Sequence, residues 1–81
     1  MQKKVKIYSA PYCTFCLMAK NFFKKHGIIY EDINVQDNEQ AARYIYELTK
    51  QTTIPVIIID DTEVHIGFDE TKLKGVLGIK D

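Results

Sequence analysis

Two cysteines, Cys13 and Cys16, stand three residues apart in YSAPYCTFCLMAK, residues 8–20, and the chain has no others. Such a pair does one of three things: it exchanges disulfides, it clamps a metal, or it fills a core as two small apolar side chains. The pair sits where an alternating apolar pattern ends and a helical one begins. At the first turn of a helix the backbone N–H groups lack partners and the macrodipole is positive, so a thiolate is favoured over a thiol. A cysteine held there in a C-x-x-C pair titrates well below the ~8.5 of a free thiol. Cys13 is therefore read as the nucleophile. Cys16, one turn deeper and more buried, is read as the thiol that resolves the mixed disulfide. Side chains three apart on a helix are ~5–6 Å from each other at Cβ, close enough for a small adjustment to close a disulfide. Thr14 and Phe15 between them carry no charge, which suits a reductant or a mild exchanger.

A zinc site needs four ligands. Only His26 and His65 remain as nitrogen ligands, far apart in sequence. His26 fits a helix C-terminus and His65 a short strand, so no metal site is expected. A second feature is TTIP, residues 52–55. Pro55 is either an ordinary strand-opening proline or the second residue of a cis Ile54–Pro55 bond. In the latter case the Ile54 backbone would face the thiols and pair with a substrate as an added strand.

The elements that must position these groups follow from periodicity. KKVKIYS alternates around Val5 and Ile7 and predicts a strand. From Cys13, the residues Ala19, Phe22, Phe23 and His26 define one helix face, with Gly27 as the C-cap candidate. IIYEDINV, residues 28–35, predicts a second strand. A helix follows, capped by Asp37 or Asn38, with Ala41, Ile45 and Leu48 on its inner face. The runs VIIID and TEVHIG predict two strands joined at Asp60–Asp61. A last helix presents Leu73, Val76 and Leu77. The order is β-α-β-α-β-β-α: a parallel pair with a right-handed crossover, then an antiparallel hairpin, in a mixed four-stranded sheet with helices on both faces.

With 81 residues the chain is expected to be a single domain, residues 1–81. Hydrophobic residues make up 46%, enough for a core and against disorder. Eleven basic residues balance eleven acidic ones, so there is no electrostatic case for nucleic acid or an anionic membrane. No apolar run approaches a membrane span of ~18 residues, and the N-terminal residues alternate instead of forming a signal-peptide apolar stretch. A cytoplasmic protein is expected, and in that compartment a close cysteine pair points to catalysis or metal before a static disulfide.

C-x-x-C at a strand–helix junction, TIP about forty residues later and GFDE beyond it together resemble the glutaredoxins and glutaredoxin-like thiol oxidoreductases. The resemblance runs from about Lys4 to Ile79. It implies the thioredoxin fold, a nucleophilic Cys13 with Cys16, a cis Pro55 and a glutathione groove beside them. Thr53 and Ile54 would hold the cysteinyl backbone of glutathione. Gly67, Phe68 and Asp69 would hold its γ-glutamyl end, and Gln51 its glycine carboxylate. Phe15 resembles the aromatic between the family's cysteines. Tyr12, by its place in the loop just before Cys13 and apart from the resemblance, is read either as flanking the site or as surface. Glutathione would be a co-substrate, with no tightly bound cofactor. The partners would be disulfide-containing proteins and a glutathione or thioredoxin reductase system, met by a monomer.

Three positions depart from the usual glutaredoxin pattern. The motif is C-T-F-C where C-P-Y-C is usual. Ala10 stands where a lysine often pairs with a glutathione carboxylate, and Ile66–Gly67 replaces Gly-Gly. A related branch, the redoxins that feed ribonucleotide reductase, is reduced by thioredoxin reductase and usually carries arginine after GF. Asp69 favours the glutathione side. An iron–sulfur carrier, with two protomers sharing a cluster through Cys13 and glutathione, is a rival of another class. Lys20, one turn past Cys16, either adds positive potential near the thiols or is solvated surface. The remaining tyrosines, Tyr8, Tyr30, Tyr44 and Tyr46, are read as surface or core-edge residues.

Overall fold

The computed structural model describes residues 3–79. The elements are β1 (Val5–Ser9), α1 (Thr14–Lys25), β2 (Glu31–Asn34), α2 (Glu39–Thr49), β3 (Val56–Ile59), β4 (Glu63–Ile66) and α3 (Glu70–Leu77). They form one sheet in the order β2-β1-β3-β4. β1 and β2 are parallel, with Ile7 opposite Asp32 and Ser9 opposite Asn34. β3 is antiparallel to both of its neighbours, with Tyr8, Val56 and Ile66 in one row across the sheet. This is the mixed, helix-flanked sheet expected from the sequence.

Two cores lie on opposite faces. Under α1 and α3 are Val5, Ile7, Ala19, Phe22, Phe23, Ile57, Ile59 and Leu73. Under α2 are Tyr8, Ala41, Ile45, Val56 and Ile58. Central strand β3 is buried along its whole length, because its alternate side chains serve both cores. Both sets of side chains are anchored by helix ends that follow local rules. α1 closes with Gly27 at φ +66°, the Gly27 amide donating to the Lys24 carbonyl (3.2 Å) and the Ile28 amide to that of Phe23 (2.8 Å). That double bond is a Schellman closure, with Ile28 packed back onto the core. The hairpin turn carries Asp60 and Asp61 at φ +54° and +61°, in the left-handed region that Asp tolerates. Asp60 is locked to the residue just before β1 by exchanging hydrogen bonds with the Lys4 backbone, each 2.8 Å long.

Three expectations change. The second strand is Glu31–Asn34, shorter than residues 28–35, because Ile28 is consumed by the α1 closure and Tyr30 packs on Phe23 at 5.3 Å. Leu48 is 44% exposed: it lies in the last turn of α2, where the buried side chains of that core offer it no partner. Tyr8 is a true core residue, and burial raises its phenol pKa above the ordinary value, with smaller contributions from Tyr44, Glu31 and Asp61.

Candidate active site

β1 delivers the chain to the thiols. After Ser9 the segment Ala10-Pro11-Tyr12 turns, and the Cys13 amide closes the turn on the Ala10 carbonyl at 3.2 Å. Cys13 then takes the N-cap of α1 in extended conformation, and its Sγ accepts a hydrogen bond from the Cys16 amide at 3.1 Å. No acidic residue occupies the first turn of this helix. Cys13 and Cys16 are joined as a disulfide, their Cα atoms 5.2 Å apart. Cys13 is half-buried while Cys16 has 0% exposure. One sulfur is reachable and the other is not, so an incoming thiolate meets Cys13 first. Sulfur at a helix N-cap receives both an N–H donor and the positive end of the helix, which lowers the energy of its anion as a leaving group or nucleophile.

Cys13 lines a cleft of about 170 Å³ with Ala10, Pro11, Tyr12, Thr14, Leu17 and Lys20. That volume admits a side-chain-sized group and falls below the ~300 Å³ typical of a drug-sized ligand. Tyr12, at 77% exposure, forms one wall, and Phe15 also stands largely in solvent. A chain of polar contacts runs alongside, linking Lys20, weighed from sequence as a source of positive potential, to Asp32 and Ser9, which the sequence reading did not single out. The Ser9 hydroxyl donates to Asp32 Oδ1 at 2.6 Å, and Lys20 Nζ donates to Asp32 Oδ2 at 2.9 Å. Burial pulls the Asp32 pKa upward, but the Ser9 hydroxyl and the Lys20 and Lys24 charges outweigh it and hold the carboxyl below its ordinary range. The available signal was a serine at an inward position of a strand, which needs a partner when buried.

The other anticipated residues come from two further segments at the same end of the sheet. The Ile54–Pro55 peptide is cis. Pro55 is buried and continues the β3 row beside the end of β1, and its carbonyl accepts the Gly67 amide at 2.7 Å. Gly67 has φ +83°, a backbone that excludes most side chains. Gln51 and Ile54 line a hollow with Val35, Ala42, Ile45, Tyr46 and Thr52, while Thr53 is exposed. Gly67 and Asp69 line a separate groove with Val64, His65, Ile66 and Lys72. The Asp69 carboxylate caps α3 by accepting from the Lys72 amide at 3.2 Å. Phe68 turns inward, its ring 5.8 Å from Phe22, and packs on the core under α1 and α3 instead of lining the groove. The structure thus brings Cys13 and Tyr12 into one cleft with Cys16 buried behind Cys13, and assigns Gln51 with Ile54, and Gly67 with Asp69, to two hollows of their own.

His26 packs against Phe22 with ring centroids 4.7 Å apart and the rings tilted by 60°, and His65 Nε2 lies 2.9 Å from Glu63 Oε2. Among the described residues no cluster of three or more His, Cys, Asp or Glu is arranged to hold a metal ion, and no helix is long and apolar enough to cross a membrane.

This arrangement matches known proteins along most of the chain. The family profile named Glutaredoxin covers residues 5–64. A glutaredoxin-like 8.6 kDa protein from the rubredoxin operon of Clostridium pasteurianum is 35% identical over 69 residues, 85% of this chain and 91% of that protein. Among solved structures, the thioredoxin-like protein BC3987 is 30% identical with a TM-score of 0.82, covering 91% of this chain and 100% of the other. The glutaredoxin-like NrdH-redoxin of Escherichia coli, whose activity profile is described as thioredoxin-like, is 25% identical with a TM-score of 0.82, covering 90% of this chain and 93% of that one. The fold is therefore the thioredoxin fold, and with its C-x-x-C pair at the head of α1 the chain belongs to the glutaredoxin family.

Proposed function

We propose that this protein is a cytoplasmic thiol–disulfide oxidoreductase, a single domain of residues 1–81, that reduces protein disulfides or glutathionyl mixed disulfides. The observation that carries this reading is the asymmetry of the pair: a reachable Cys13 at the positive end of α1, disulfide-bonded to a fully buried Cys16. In the reduced protein the Cys13 thiolate attacks one sulfur of the substrate disulfide. A Cys13–substrate bond forms, the substrate S–S bond breaks, and the first thiolate leaves. Cys16 then loses its proton and attacks Cys13 Sγ. The Cys13–Cys16 disulfide forms and the second substrate thiolate leaves. Two electrons have passed to the substrate, and a thiol reductant must return them.

Glutathione is our reading for that reductant, giving two molecules of thiol oxidised to one disulfide per cycle. The Thr53-Ile54-Pro55 segment, with its cis peptide, would pair with the cysteinyl backbone, and Gly67 and Asp69 would take the γ-glutamyl end. Gln51, Tyr12 and Phe15 would flank the bound tripeptide, and the Phe68 backbone would complete the γ-glutamyl side. The likeness to NrdH-redoxin supports a second reading, in which a thioredoxin reductase supplies the electrons.

The deciding experiment is glutathione-dependent turnover of a small glutathionyl mixed disulfide by wild type, Cys16→Ser and Cys13→Ser. Turnover that survives in Cys16→Ser and vanishes in Cys13→Ser is the expected result. No turnover with glutathione, together with reduction by thioredoxin reductase, would assign the protein to the second reading.

A further inference from the structure

We propose that Lys20 is a positioning residue for Cys13: tethered by Asp32 and Ser9, its ammonium group is a fixed positive charge at the cleft that favours the anionic form of the Cys13 sulfur. The inference deepens the reading of Cys13 as nucleophile and rests on it.

Ser9 is the last residue of β1 and is only 2% exposed. A buried hydroxyl needs a partner, and this one donates to Asp32 on the neighbouring strand β2 at 2.6 Å. The second oxygen of the same carboxylate receives Lys20 Nζ from α1 at 2.9 Å. Both Asp32 oxygens are thus engaged by groups from two different elements. An ion pair whose side chains remain 20% and 41% exposed contributes little to stability. Its consequence is geometric, because a lysine that would otherwise sample many rotamers is held in one place.

Lys20 also lines the cleft of Cys13, with Thr14 and Leu17, whereas Asp32 is not among its walls. Positions 13, 17 and 20 fall on one face of the helix, and long helical side chains lean back toward the N-terminus. The ion pair is therefore a local dipole with its positive end toward Cys13, added to that of the helix itself. The charged groups around this cluster are Lys20 and Lys24 from α1 and Asp32 from β2. β1 contributes the uncharged Ser9, and the loop contributes the phenol of Tyr12. Because Asp32 stays ionised below the ordinary carboxylate range, the tether persists across the pH range in which thiolates form.

The test is the rate of iodoacetamide alkylation at Cys13 in the reduced protein against pH, read by mass spectrometry of the Cys13 peptide, with a melting curve for each variant. At about pH 6 and low salt, Lys20→Met should slow alkylation roughly threefold, by removing the positive end. Asp32→Asn should speed it by a similar factor, by removing the negative end. Lys20→Arg should restore the wild-type rate, and ~1 M salt should shrink all of these differences. A purely structural role would move both charge-removing variants in the same direction, and that result overturns the proposal. So does an unchanged rate in Lys20→Met when wild-type Cys13 reacts as a low-pKa thiol. If wild-type Cys13 itself titrates like a free thiol, the reading of Cys13 as nucleophile fails first, and the proposal with it.

Discussion

The N-termini of α1 and α2 have the same backbone construction and different chemistry. Each begins with an extended N-cap residue whose side chain accepts from the amide three positions on: Cys13 from Cys16 at 3.1 Å, Asn38 from Ala41 at 3.0 Å. In α2 the acceptor is an amide oxygen, and Glu39 in the first turn offsets the helix dipole. In α1 the acceptor is sulfur, and the first turn has no acid. The α3 start sides with α2, with Asp69 as cap and Glu70 in its first turn. Two helices use their positive end to stabilise themselves. The third leaves it available to whatever charge develops on Cys13. Oxygen is the better cap, so α1 gives up some stability for a reactive atom in a favourable field.

The comparison breaks most sharply at the cap atom. Cys13→Ser puts a good capping oxygen at the head of α1, so disulfide-reductase turnover should be lost entirely while the reduced protein melts no lower than wild type. Turnover assays and thermal melts read the two halves of that statement. A smaller effect is expected from making α1 resemble α2. Thr14→Glu places an acid in the first turn, and alkylation of Cys13 near neutral pH should slow by roughly two- to fivefold. The converse change acts on stability alone. Asn38→Ala should cost about 1 kcal/mol in urea unfolding, with turnover per folded molecule unchanged. The smallest effect concerns the core under α2. The Tyr8 pKa is raised in the folded state, so its contribution is complete below the unfolded value of ~10 and is lost as pH rises through the folded value. Tyr8→Phe should flatten the alkaline limb of a plot of stability against pH without changing the neutral region.

Much of this architecture can be read along the chain, because helices, turns and caps are decided over a few residues. The spacing of Ala19, Phe22 and Phe23 named the buried face of α1, and Asn38 was one of two cap candidates for α2. The same local logic over-extended β2, where Ile28 has a second use in closing α1, and buried Leu48, for which the sheet supplies no partner. Tyr8 was misplaced because a tyrosine's burial depends on what lies across from it, here Val56 on β3 and the Tyr44 ring 6.0 Å away.

The sequence by itself determined the order of the elements and the placement of a C-x-x-C pair at a helix start. Those properties depend on periodicity and on positions three residues apart. Only the tertiary structure decided what surrounds Cys13. Ser9, Lys20 and Asp32 are separated by 11 and 12 residues along the chain, and they meet because β2 pairs with β1 in one register while α1 crosses between the two strands. The inward turn of Phe68 and the separation of the Gln51 and Asp69 hollows were decided in the same way. Contacts of this kind are set by strand register and by the crossover, and no local pattern of residues encodes either.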